Sequence, residues 1–211
     1  MHIKTFIFNP VQENTYLLYD ETGECAIIDA GCLFPQEENA LADFIGQHNL
    51  SLKHVLNTHL HFDHAFGNAF LAKKYGILPE AHDADEFLLP SIKDMVKRFG
   101  LDFDIEPQQP GKHLAEGDTV RFGNTELKVI HTPGHSPGGL CFYCKKDGVL
   151  FSGDTLFLES IGRSDLPGGN YDALIDSITK KLLTLPPDTV VYPGHDETTT
   201  IGHEKRFNPY F

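Results

Sequence analysis

The sequence predicts an α+β fold in which two β-sheets bury their inner faces against each other and helices cover the outside. Three observations carry that expectation. The chain has two halves, and each is mostly strand-like segments followed by helix-like ones. Turn signals are spread evenly, with no internal repeat, low-complexity tract or linker. At 211 residues and 40% hydrophobic content, the chain can bury one substantial core. A single domain over residues 1–211 is therefore expected.

The first half opens with "KTFIFN", "TYLLYD" and "CAIIDAG", strand-like runs joined by short polar turns such as "DETGE", which together read as a β meander. "PQEENALADFIGQHN" then sets Leu41, Phe44 and Ile45 on one helical face, with Pro35 near the start. "LKHVLNTH" returns to strand, and "HAFGNAFLAKKYG" has helical spacing closed by Gly76. The amphipathic face of "FLLPSIKDMVKRFG" is read as core packing, ahead of a substrate-covering segment or a dimer contact. In the second half "DTVRFGNTELKVIHT", "GLCFYCK" and "GVLFSGD" are strands separated by glycine-containing turns. "NYDALIDSITKKLLTLPP" repeats Tyr171, Leu174, Ile175, Ile178 and Leu182 at helical period until Pro186-Pro187, and "TVVYPGH" is a last strand running into a histidine loop.

Thirty acidic against seventeen basic residues give a formal charge of −13, and no basic patch is concentrated anywhere. Neither a nucleic-acid nor a membrane partner is expected on that balance. "MHIKTFIFNPVQENTY" is too short in its apolar part for a signal peptide or a span, so a cytoplasmic monomer or homodimer is expected. Four cysteines are too few for a disulfide framework. Cys141 and Cys144, three apart in a strand, point to opposite faces and cannot share a metal.

Four strand-to-loop junctions end in metal-ligating residues: "NTHLHFDH", "HTPGHSPGG", "LFSGDTLF" and "VYPGHDETT". Rigid strands followed by loops of Gly, Pro and Ser place such side chains at one sheet edge, where they can converge. His59 and His61, two apart on extended backbone, leave on the same side and suit one ion. Asp63 and His64 follow where the chain turns into a helix, aimed at a neighbouring position. A catalytic zinc takes three protein ligands and keeps a position for water. The expected set is thus His59, His61 and His135 on one ion, Asp63, His64 and His195 on a second, and Asp154 bridging them. Zinc is the expected metal, with iron and manganese also compatible with imidazole and carboxylate ligands.

Thr58 to His64 spells Thr-His-x-His-x-Asp-His in full, and in this the chain resembles the metallo-β-lactamase superfamily. Similar elements recur at Asp29-Ala30-Gly31, the "TPGHSPGG" loop, "SGDTLF" and the "PGH" of His195. The resemblance implies an αβ/βα sandwich with two metal ions at the sheet edge, the ligand roles given above, and Asp29 supporting the ligands from behind. Within the superfamily, "HTPGHSPGGLCFY", "GDTLFLESIGRSDLPGGNYDALIDSI" and "LPPDTVVYPGHDETTTIGHEKRFNPYF" look most like the short bacterial glyoxalase II-like hydrolases, which cleave thioesters of 2-hydroxy acids. Full-length hydroxyacylglutathione hydrolases carry a further C-terminal helical region with basic residues that hold glutathione. This chain ends at Phe211, soon after the last expected ligand, so the likeness does not extend to the thiol.

Two adjacent cations lower the pKa of a shared water, so a metal-bridging hydroxide is the expected nucleophile, oriented by Asp63. Arg163, nine positions after Asp154, is expected to hold a substrate carboxylate, with Ser164 and Asp165 as weaker contacts in the same loop. Tyr192 is read as core, His131 as a support to His135, and His2, His48, His54, His82, His113 and His203 as structural or surface residues. The alternative activity is a persulfide dioxygenase, which the chain also resembles in its "GRSD" loop and short C-terminus, with one iron on His59, His135 and Asp154. Lactone or β-lactam hydrolysis and RNA cleavage rank lower. A storage or scaffolding role is disfavoured because a closed zinc site needs only four ligands and no bridging carboxylate.

Overall fold

A computed structural model describes residues 1–100 and 105–211. The first sheet has the order β1 (His2–Phe8), β2 (Glu13–Tyr19), β3 (Glu24–Ile28), β4 (Ser51–Leu56), β5 (Pro79–Ala81) and β6 (Lys112–His113). Helices α1 (Pro35–Gln47), α2 (Phe62–Ala65), α3 (Asn68–Tyr75) and α4 (Ser91–Arg98) lie between its strands. The second sheet draws on β7 (Thr119–Phe122), β8 (Thr125–His131), β9 (Leu140–Cys144) and β10 (Val149–Gly153). A small hairpin, β11 (Leu156–Phe157) with β12 (Ser160–Ile161), and helix α5 (Tyr171–Lys180) precede β13 (Val190–Pro193), β14 (Thr199–Thr200) and α6 (Ile201–Phe207). Its order is β14-β13-β10-β9-β8-β7.

The two-residue period of the strands sorts their side chains into separate cores. Tyr16, Leu18, Ala26, Ile28 and Leu56 face inward and meet Phe122, Leu127, Val129, Phe142 and Phe151 of the other sheet. Their neighbours Leu17, Cys25, Ile27 and Val55 face outward onto Leu41 and Ile45 of α1 and Leu71 of α3. On the second sheet Ile130, Tyr143, Leu150 and Val191 face outward onto Leu174 and Ile178 of α5 and Ile201 of α6. The layers therefore run helix, sheet, sheet, helix. Cys141 belongs to the outer of these cores and Cys144 to the inner, as their spacing requires, and all four cysteines are buried free thiols. Helix α4 packs Ile92 and Val96 against Leu60 and Phe66, beneath the histidine-rich stretch.

Strand direction decides where the loops emerge. The first three strands form the expected antiparallel meander, but β3 and β4 are parallel, which requires the crossover that α1 supplies. In the second sheet β10 pairs parallel with β13, and β8 runs in the same direction because β9 is antiparallel to both β8 and β10. The carboxyl ends of β3 and β4 thus leave one sheet together, and those of β8, β10 and β13 leave the other. The two rims are tied by Leu140 N donating to Thr58 O at 2.7 Å, and by Asn14 N to Gly194 O at 2.7 Å. The Tyr16 hydroxyl also donates to Pro193 O at 2.6 Å. The sequence reading set all four histidine or aspartate junctions on one sheet edge. They divide instead between two sheets, and the site straddles the seam, because pairing partners are non-local and only the strands' ends are local.

Candidate metal centre

After β4 the chain runs through a bend at Thr58 to His61, which caps the start of α2. His59 and His61 nonetheless converge on one point, and Asp63 and His64 lie in the first turn beyond. Gly153, at φ 49°, makes the turn out of β10 that delivers Asp154; a Cβ there would lie 2.3 Å from Thr58 Oγ1. A Cβ on Gly194 would come within 2.3 Å of Asp154 Oδ1 and 2.6 Å of His64 Cε1, so this position delivers His195 only as glycine.

One ligand atom each from His59, His61 and His135 falls within 4.8 Å of the others, and the same holds for Asp63, His64 and His195. Asp154 lies between the groups. Its Oδ1 is 3.4 Å from His64 Nε2, and its Oδ2 is 3.5 Å from His135 Nε2 and 3.7 Å from His195 Nε2. His195 Nε2 is 3.2 Å from Asp63 Oδ2. All seven side chains that the sequence singled out as ligands come together.

Four of the five imidazoles are held from behind. His135 Nδ1 donates to Arg163 O at 2.7 Å, His64 Nδ1 to Asp29 Oδ2 at 3.0 Å, and His195 Nδ1 to Gln12 O at 3.3 Å. The Thr58 hydroxyl gives its proton to Asp29 Oδ2 at 2.7 Å and so accepts from His59 Nδ1 at 3.0 Å. Four rings consequently donate through Nδ1 and aim Nε2 inward, where a neutral ring offers a lone pair and a protonated one gives up its proton on ligating. His61 is the exception and turns Nδ1 to the centre.

A cation fits these donors and little else does. His59 Nε2 and His135 Nε2 stand 3.2 Å apart, and both are lone pairs by the anchoring above, so they repel unless a positive charge lies between them. His64 Nε2 and Asp154 Oδ1 are buried with no hydrogen-bond partner. Burial, reinforced by the neighbouring histidines, pushes His59 well down, and burial with His135 pushes His61 down to about 4, so both stay neutral and able to ligate. His64 behaves in the opposite way. Burial opposes its charge, but Asp154, Asp63 and Asp29 outweigh that and hold its pKa well above the ordinary value. Burial likewise works against Asp154, and the His64, His135 and His195 rings still keep it well below the usual carboxylate range.

The Arg163 side chain forks onto Asp165 through Nε at 2.7 Å and Nη2 at 2.9 Å, in an exposed pair. It is the Arg163 carbonyl, on His135, that touches the ligand set. Tyr192 packs on Tyr16 and Phe151. His131 Nε2 donates to Pro137 O, 2.9 Å away in the His135 loop, and the ring stacks on His82 at 4.4 Å. His54, His113 and His203 pair with Glu80, Glu86 and Glu159, away from the centre.

Sequence reasoning passed over Asn9, Glu13 and Asp85. Asn9 Nδ2 donates to Gly31 O and Asp63 O, both at 3.0 Å, fixing the turn that carries Asp63. Glu13 is fully buried behind Asp29 and His64, and burial raises its pKa well above the ordinary value. Asp85 accepts three hydrogen bonds from the ligand-bearing loops. The Asn9-Pro10 turn was a signal for the first; a polar "DADE" run gave none for the third.

Residues 8–195 match the model of the metallo-beta-lactamase superfamily. The chain belongs to that superfamily. Hydroxyacylglutathione hydrolase GloC of Haemophilus influenzae is 36% identical over 212 residues, covering 100% of this chain and 98% of its own. The crystal structure of the BLEG-1 B3 metallo-beta-lactamase superposes with a TM-score of 0.87 at 36% identity, over 99% of both chains. That of TTHA1623 in a di-iron-bound form gives 0.85 at 37% identity, over 100% of both. The chain thus belongs to a superfamily of metallo-hydrolases, and no helix among the described residues is long and apolar enough to cross a membrane.

Proposed function

We propose that this metallo-hydrolase cleaves thioesters of 2-hydroxy acids, with His59, His61 and His135 on one divalent cation, Asp63, His64 and His195 on a second, and Asp154 shared. The observation that carries the two-cation reading is the set of four anchored imidazoles presenting Nε2 atoms across a shared carboxylate. The thioester reading is supported by the full-length likeness to a hydroxyacylglutathione hydrolase. A cation pair would supply an acidified water and a polarised carbonyl. Zinc is the metal we expect.

The chain's own groups do the rest. Asp63 Oδ2, buried and restrained by His195, accepts the proton of the attacking water and orients it. The departing thiolate is a good leaving group and needs no acid from the protein. The Asp29, Thr58 and carbonyl anchors keep the rings still while charge builds, so little reorganisation accompanies the step.

A panel of thioesters, lactones, β-lactams and persulfides tests this on protein of defined metal content. Two ions per chain and thioester turnover that disappears on chelation are expected. Oxygen uptake with a persulfide, or two bound ions without thioester cleavage, overturns the reading.

A further inference from the structure

Asp85 sits in the 3-10 turn Asp83–Leu88, an element that contributes none of the seven donors, and has no exposed surface. Its Oδ2 accepts from Ser136 Oγ at 2.8 Å and Leu60 N at 3.3 Å, and its Oδ1 accepts from Gly138 N at 2.6 Å. Leu60 lies between His59 and His61; Ser136 and Gly138 follow His135. One carboxylate therefore grips both loops that supply the three-histidine group, although those loops come from different sheets. All three partners donate, so the ionised carboxylate satisfies every one of them. The fit is close: a Cβ on Gly138 would lie 2.7 Å from Asp85 Cγ.

The other group is held by different hands. Asn57 Nδ2 donates to His64 O at 2.8 Å, Asn9 Nδ2 to Asp63 O, and Asn14 Nδ2 to Pro193 O and Asp196 O on either side of His195. None of these bonds involves Asp85.

We infer that Asp85 is a positioning residue for one half of the centre only, setting the separation of His59 and His61 from His135 while leaving Asp63, His64 and His195 untouched. The inference rests on the two-cation reading above. Carboxylates placed behind metal ligands govern affinity by roughly 10- to 100-fold when removed.

The test titrates metal-stripped protein with Co²⁺ and Zn²⁺ and follows stoichiometry and affinity. Asp85→Ala should weaken one equivalent at least tenfold and leave the other. Asp85→Asn, which keeps an acceptor for part of the set, should fall between. Two backgrounds identify the equivalent: with His195→Ala, where the three-histidine group remains, Asp85→Asn should weaken the surviving ion, and with His61→Ala it should not. Melting of the metal-free variants is the control for folding, and Asp85→Asn serves if Asp85→Ala does not fold. Equal weakening of both ions, or none, overturns the inference. Fewer than two ions in the unaltered protein overturns the two-cation reading instead.

Discussion

Asp29→Asn isolates the pattern of donors and acceptors behind the ligands. Asp29 has φ 53°, a left-handed conformation that Asn adopts readily, so the backbone cost of the change is small. The carboxylate accepts from Thr58 N at 2.7 Å through Oδ1, and from Thr58 Oγ1 and His64 Nδ1 through Oδ2. An amide has one oxygen for these two positions. With the oxygen toward His64, the amide NH2 confronts the buried Thr58 N–H, and an unpaired buried donor costs roughly 1–3 kcal/mol. With the oxygen toward Thr58 N, the NH2 confronts His64 Nδ1–H, and the ring must move its proton to Nε2. That proton occupies the lone pair the second cation needs. Metal affinity or stability of the folded chain is expected to fall by a comparable 1–3 kcal/mol, about 5- to 150-fold in an equilibrium constant. Competition against a chelator measures the affinity and thermal melting of the metal-free protein measures the stability. An Asp29→Asn protein that binds both ions as tightly as the parent and melts with it would refute the anchoring scheme.

Metal removal should make stability fall with pH on the alkaline side. In the metal-free chain burial opposes the charged forms of His64 and His195, but their carboxylate neighbours raise both above the ordinary 6.5. The folded chain then holds protons that the unfolded chain has released, and that stabilisation, complete below about 6.5, is lost as pH rises through the folded values. The melting-temperature gap between loaded and chelated protein should widen as pH rises above about 6.5, and a constant gap would contradict this. Gly194→Ala places a methyl against Asp154 Oδ1 and His64 Cε1, so metal content should drop while the far-ultraviolet circular dichroism is kept; normal loading would show that the loop yields. Arg163→Ala should leave metal content unchanged, since the carbonyl and not the guanidinium holds His135, and KM with a carboxylate-bearing substrate reports whether the side chain ever leaves Asp165.

The seven candidate ligands could be picked out because their chemistry is carried by side chains at strand ends, where alternation, glycine and proline leave marks in one dimension. What holds the ligands was largely hidden. Two of the anchors are the carbonyls of Arg163 and Gln12, which any residue supplies. Asp85 looks like the other acids of its turn until the fold brings Leu60 and Gly138 to it from 25 and 53 residues away. The division of the junctions between two sheets was hidden for a related reason. Nothing local in "LKHVLNTH" says that its strand pairs in parallel with β3, whereas the meander before it needs only short turns. Short strands such as β6 and β14, two residues each, carry too little pattern to be read at all.

The exception at His61 follows from the same geometry. Four rings have Nδ1 anchored and so present the distal Nε2 to the centre. His61 is the cap of α2 and turns its proximal Nδ1 to the centre, where it stands 2.9 Å from His135 Nε2. No anchor of the kind that fixes the others is seen on its Nε2 among the described residues, so in the metal-free chain its Nδ1–H can donate to His135 Nε2. The facing Nε2 atoms of His59 and His135, 3.2 Å apart, repel as neutral rings in the metal-free chain, and the bonds from Thr58, Arg163 and Asp85 hold them together against that repulsion. Binding a cation relieves it, so metal affinity and folding stability share one source in this fold.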